Sequence, residues 1–195
     1  MSEHNGLRDF LLDRSQRAAA AILERLQGIT EEEFMWEPVD GCWSVRRLRD
    51  SAGTSPMADH LLAAGSDAEW FSDEAWDGKT FVTFDPSPFT TIAWRLVHLG
   101  SCKVMYHEHA FGERRDLWAE LTGKHTVADA IAMFEDGQGR LIGALQDLDD
   151  ADITKTVLTN WGEEWPAWRI FSAMAEHDLQ HGAEIGCIRD LYAHR

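Results

Sequence analysis

Apolar residues recur at helical spacing over four long stretches of this chain, and each such stretch must bury one face. From Gly6 to Gln27, the residues Leu7, Phe10, Leu11, Arg14, Ala18, Ala21, Ile22 and Leu26 share one stripe, and Gly28 stands where a helix stop belongs. From Pro88 to Phe111, Ile92, Leu96, Leu99 and Val104 recur, and Thr90 or Thr91 can cap the start. From Thr126 to Leu148 the stripe is Val127, Ile131, Phe134, Leu141, Leu145 and Leu148, and the break from Asp136 to Gly139 predicts a kink. The last stretch runs from Pro166, a favoured first-turn residue, to Ala193, with Ile185, Ile188, Leu191 and Tyr192 on one side. Four long amphipathic helices with little strand signal predict an all-α four-helix bundle, one domain over residues 1–195.

The connections are less regular. Thr30 and Glu33 read as a capping box opening a short helix that Pro38 ends. Residues from about 46 to 87 are rich in Gly, Ser, Asp and Pro and read as an irregular inserted segment. It is expected to hold one short helix near Met57 to Ala64 and one strand, KTFVTF, at Lys79 to Phe84.

Composition excludes several function classes. The net charge is −16, from 18 Lys and Arg against 34 Asp and Glu, and no basic stripe offsets it. Such a surface repels phosphate backbones, so no nucleic-acid partner is expected. No apolar run approaches the ~20 residues that span a bilayer, and the N-terminus has no signal-peptide core. The expectation is a cytoplasmic protein with no membrane partner. The three cysteines, Cys42, Cys102 and Cys187, are irregularly spaced and contain no CxxC pair, so three reduced small apolar residues are expected. Nine tryptophans are many for this length; packing at element ends accounts for them.

The last helix carries AEHDLQHGAEIG, with His177 and His181 four residues apart. At about 3.6 residues per turn these two point about 40° apart. Their Cβ atoms lie ~5–6 Å apart. Both imidazoles can then reach one ion at about 2.0–2.1 Å. Glu184 falls in the same arc, as a fourth ligand or as a carboxylate behind a ligand, whereas Asp178 and Gln180 point elsewhere. Asp178 also stands where a zinc-protease HExxH motif would need its glutamate. HxxxH alone is equally compatible with two polar residues on a helix flank.

A third ligand must come from another helix. His98, mid-helix among Leu96, Val97 and Leu99, is the candidate; the alternative is a core histidine satisfied by a carboxylate. Three imidazoles would leave open positions, the pattern of a catalytic rather than a closed structural site. Cys102, one turn after His98, could approach the same point. His109 lies ~16 Å further along the axis and cannot share the ion, and His107 also belongs near the helix end. His60 sits in the irregular segment. His4, His125 and His194 are expected at the surface.

TIAWRLVHLG together with MAEHDLQHGAEIGCIRDLY resembles the DinB-like superfamily, which includes the YfiT-type proteins. ITEEEFMWEPVDGCWSV resembles the family segment that carries a Trp-Ser pair. The resemblance implies a four-helix bundle whose metal ligands are His98, His177 and His181, holding zinc or nickel, and a homodimer. In shorter members the Trp-Ser pair closely precedes the second long helix; here Trp43-Ser44 and His98 are far apart, which marks the insertion.

The resemblance also implies chemistry on a small-molecule substrate. Characterised relatives use a low-molecular-weight thiol cosubstrate such as bacillithiol, mycothiol or glutathione. The leading expectation is a metal-dependent thiol S-transferase or related detoxification enzyme. The alternatives are a non-catalytic metal-binding stress-response or interaction module and, less favoured, a metal-assisted hydrolase. Glu184 and Tyr106, with Glu176, are the candidate acid-base groups. Arg46, Arg47, Arg95, Lys103 and Arg169 are candidate anion contacts.

Overall fold

The structure is a computed structural model that describes residues 6–73 and 88–195, with the backbone alone for Trp118 and Ala119. The strand expected at Lys79 to Phe84, the C-terminal part of the inserted segment and His4 lie outside the described residues.

Four long helices form the body: α1 (Leu7–Arg25), α4 (Ile92–Phe111), α6 (Val127–Asp147) and α7 (Ala167–Ala193). Three shorter ones lie between them: α2 (Glu31–Met35), α3 (Pro56–Ala63) and α5 (Trp118–Leu121). The helix starts follow from local chemistry. The Thr91 hydroxyl accepts the Trp94 amide at 3.1 Å and caps α4, and Thr126 does the same for α6 through the Asp129 amide at 3.1 Å. The Thr30 hydroxyl accepts the Glu33 amide at 3.1 Å. The reciprocal half of the expected capping box is replaced, because the Glu33 carboxylate takes Arg189 of α7 at 2.7 and 3.2 Å. A charge-assisted pair with a guanidinium outcompetes a neutral amide.

The long helices pack in a ring, α1 on α7, α7 on α4, α4 on α6 and α6 on α1. Their directions can be read from side-chain partners. Arg14 meets Glu176 at 3.7 Å, and further along both helices Arg189 reaches the carbonyls of Arg25 and Gln27, so α1 and α7 run parallel. Gly100 faces Met133 and Phe134, and Lys103 bonds Gln138, so α4 and α6 are also parallel. Arg95 with Glu184 and Lys103 with Asp178 set α4 antiparallel to α7. The chain therefore runs up, down, down, up. This is the four-helix bundle that the periodicity predicts.

The break in pattern at Asp136 to Gly139 does not end the helix: α6 runs from Val127 to Asp147. Its Gly137 is a point of close approach, where an added Cβ would lie 2.8 Å from Lys103 Cβ and 3.1 Å from the Gly100 carbonyl. On α1 the buried positions are Leu11, Ser15, Ala18, Ala19 and Ile22. Leu7 and Phe10 are 43% and 57% exposed, because the buried face is centred about one residue further round the helix.

The bundle core divides into two apolar clusters. One holds Ile22, Phe34, Leu96, Leu99, Phe134, Ile185 and Ile188. The other holds Leu11, Leu141, Leu145, Ile170, Phe171 and Met174.

Part of the inserted segment is ordered by pairing. β1 (Val45–Arg47) runs antiparallel to β2 (Trp70–Ser72), with Arg46 opposite Phe71. α3 begins at Pro56, capped by Ser55, one residue ahead of the expected start. Leu48, Met57, Ala58 and Phe71 make a small satellite core. A second antiparallel pair, β3 (Thr156–Leu158) and β4 (Glu164–Pro166), leads into α7. Pro166 ends that strand and stands just before the helix rather than inside its first turn. Three-residue strands are too short to show alternation, so neither pair was legible.

Candidate metal centre

His98 enters from α4, and His177 and His181 from α7. One ring nitrogen of each lies within 4.8 Å of the other two. His98 Nε2 and His177 Nε2 are 3.1 Å apart. Two nitrogens about 2.0–2.1 Å from one ion at a tetrahedral angle lie ~3.3 Å apart, so the spacing suits a shared divalent ion. Ring centroids are 4.9 Å apart for His98 and His177, 5.4 Å for His98 and His181, and 4.6 Å for His177 and His181.

The donors are held in the form that a metal needs. His177 falls from the ordinary 6.5 to about 3, first through burial, then through neighbouring His181 and Lys103. His98 is pushed well down by burial and by His177, His181 and Arg95. His181 is lowered by burial, against the pull of Glu184. Neutral imidazoles offer a lone pair. Three of them, with charge disfavoured, form a donor set that fits a divalent cation.

Each ring is also positioned. His181 Nδ1 lies 2.5 Å from Glu184 Oε2, which leaves Nε2 for an ion. Arg95, only 8% exposed, bonds the same carboxylate and lies 2.9 Å from His181 Nδ1. Glu184 is thus engaged as the carboxylate behind a histidine, one of the two roles its spacing allowed. His98 stacks on Trp94, with centroids 4.6 Å apart and planes 12° apart. The Trp94 indole donates to the Asp73 carbonyl at 2.5 Å. Trp43 bridges to Thr90, and the Ser44 hydroxyl meets the capping hydroxyl of Thr91 at 3.1 Å. The Trp-Ser pair therefore anchors the start of the helix that carries His98, despite the long separation in sequence. Asp73, from the inserted segment, also accepts from Ser44, Arg46 and Ser55.

Other candidates fall elsewhere. Cys102 Sγ lies 3.8 Å from His98 Nε2, beside the cluster but outside the group of three. Tyr106 is two turns beyond His98 and buried, its hydroxyl accepting from Trp161 at 3.0 Å. Glu176 is exposed and faces Arg14. His107 stays on the same helix as His98 near Phe111, and His60 and His194 are exposed. His125, expected at the surface, is half-buried because it stacks on Trp70 at 4.2 Å. Among the cysteines, Cys42 and Cys102 are buried and Cys187 is exposed.

Of the basic residues, Arg46 bonds Glu37, Asp73 and the Cys42 carbonyl. Arg47 lies over Trp70, and Arg169 over Trp165. Lys103, a candidate anion contact, is 1% exposed and bonds Asp178 at 2.7 Å. A long apolar stem lets the lysine cross the core, and the carboxylate compensates its charge.

Sequence reasoning missed Trp94 and Asp178. Trp94 precedes His98 by one turn, a spacing that could have flagged the stack. Asp178 faces Lys103, and only the packing of α4 on α7 reveals that.

A model of the DinB superfamily matches residues 14–185, and the chain belongs to that superfamily. No curated protein matches the chain. Among the described residues, no helix is long and apolar enough to cross a membrane.

Proposed function

We propose that this protein is a divalent-metal-dependent thiol S-transferase or related detoxification enzyme, with zinc or nickel held by His98, His177 and His181. The observation that carries the reading is the convergence of three neutral imidazoles from two helices, with a buried arginine beside them. A bound divalent ion would supply positive charge that favours the thiolate form of a thiol cosubstrate.

The chain's own residues do the rest. Glu184 fixes the ring of His181. Arg95 holds Glu184 and lies 2.9 Å from His181 Nδ1, so it braces the carboxylate that orients the ring. The sulfur lone pair forms a bond to an electrophilic carbon of the acceptor, and the leaving group departs with its electron pair. This reaction needs no general base once the thiolate exists. Hydrolysis would need one, and Glu184 is already engaged by Arg95 and His181. That favours thiol transfer over the hydrolase reading.

The test is elemental analysis of untagged protein beside the His177→Ala/His181→Ala double variant, followed by a screen of small thiols with electrophilic acceptors. About one divalent ion per chain, lost in the variant, with thiol consumption that tracks metal content, is the expected result. Metal binding without turnover on any thiol would instead support a non-catalytic module.

A further inference from the structure

A buried polar layer crosses the bundle between its two apolar clusters, and every long helix contributes to it. Lys103 of α4 bonds Asp178 of α7 at 2.7 Å and Gln138 of α6 at 2.8 Å. Gln138 donates to the Ser15 hydroxyl of α1 at 3.0 Å and to the Ser15 carbonyl at 3.3 Å. The Lys103 and Asp178 side chains are 1% and 0% exposed. On α1, α6 and α7 the polar residue separates members of the two clusters: Leu11 and Ile22 flank Ser15, Phe134 and Leu141 flank Gln138, and Met174 and Ile185 flank Asp178. Gly137 makes the crossing feasible, since any Cβ there would collide with that of Lys103.

Such a layer is weak ground for stability. A buried ion pair replaced by well-packed apolar residues of similar volume often leaves a protein equally or more stable. What the pair does provide is register. If α7 slides or rotates against α4, both charges lose their partner in the core, and an unpaired buried charge is strongly unfavourable. Asp178 is the immediate neighbour of His177, and Lys103 lies five residues after His98. The two helices that the pair locks are the two that supply the histidines.

We infer that Lys103, Asp178 and Gln138 are positioning residues for the metal centre, fixing the rotation of α7 so that His177 and His181 meet His98. The inference rests on the metal reading above. It separates the layer's role from that of the apolar core: the clusters stabilise the fold, and the polar layer selects the one register in which the three ligands converge.

The test compares wild-type protein with two variants, measuring zinc affinity by chelator competition and the urea midpoint of the metal-free form. Lys103→Met/Gln138→Leu/Asp178→Leu removes the network without stranding a charge. It should keep or raise the midpoint yet weaken zinc binding at least tenfold. Asp178→Glu keeps both charges and lengthens one arm, and should weaken zinc several-fold; it serves if the triple variant does not fold. Wild-type affinity within twofold in a folded variant would overturn the inference. A wild-type chain that binds no zinc would sink the metal reading and this inference with it. Wild-type binding with unaffected variants would sink only the inference.

Discussion

Mild acid should destabilise the metal-free protein through its histidine cluster before most carboxylates titrate. The folded state refuses a proton at His177 down to about 3, while the unfolded chain accepts one from the ordinary 6.5 downward. In that window the unfolded chain binds more protons, so stability is full above about pH 6.5 and falls with pH. A single such group costs about 1.4 kcal/mol per pH unit once well below 6.5. Between pH 6.5 and pH 5, His177 alone should remove about 2 kcal/mol, which for a chain of this size lowers Tm by roughly 4–8 °C. His98 and His181 are lowered too and act in the same sense. Glu108, held at about 2 by Arg115, stays ionised throughout. Asp178, raised by burial, acts in the opposite sense, so the comparison with His177→Gln isolates the histidine better than the bare slope. The assay is thermal unfolding with chelator present at half-unit pH steps. His177→Gln should flatten the profile by about the amount given. The same slope in wild type and variant would refute the claim that His177 is held neutral by its surroundings.

Two further outcomes are expected. Gly139→Ala and Gly143→Ala, where an added methyl meets open space, should each raise stability by up to ~1 kcal/mol through helix propensity, whereas Gly137→Ala, facing Lys103 Cβ at 2.8 Å, should lower it by ~1–3 kcal/mol; urea unfolding of the three variants checks the opposite signs. Glu184→Gln should weaken metal binding ~10–100-fold, as measured by chelator competition, because it loosens His181, and should also lower the metal-free urea midpoint, because it leaves buried Arg95 without its carboxylate.

How far the sequence discloses this protein depends on distance along the chain. Helix periodicity acts over one turn, so the four long helices and the meeting of His177 with His181 could be read directly. The choice of His98 rested on its apolar neighbours and on family resemblance, and its ring now lies 3.1 Å from His177. What stayed hidden depends on pairs remote in sequence. Lys103 looks like a surface cation until Asp178, 75 residues away, is packed against it. Gly137 looks like a helix breaker until α4 is laid on α6. Asp73 lies in a weakly patterned insertion, yet its carbonyl accepts the bond that orients the tryptophan beneath His98. Short strands escape for the opposite reason: three residues carry too little pattern.

The parallel docking of α1 on α7 has a consequence for biosynthesis. Of the four bundle helices, α1 is made first and finds its main partner only when α7 follows, and α7 carries two of the three histidines. Until then the faces of α1 and α4 that await α7 stay open to water and to one another. An ion added early would meet a single histidine of the three, so capture by the proposed centre would wait for completion of the fold. A chain stalled or cleaved before α7 cannot assemble the centre, and exposed apolar helix faces mark it for removal.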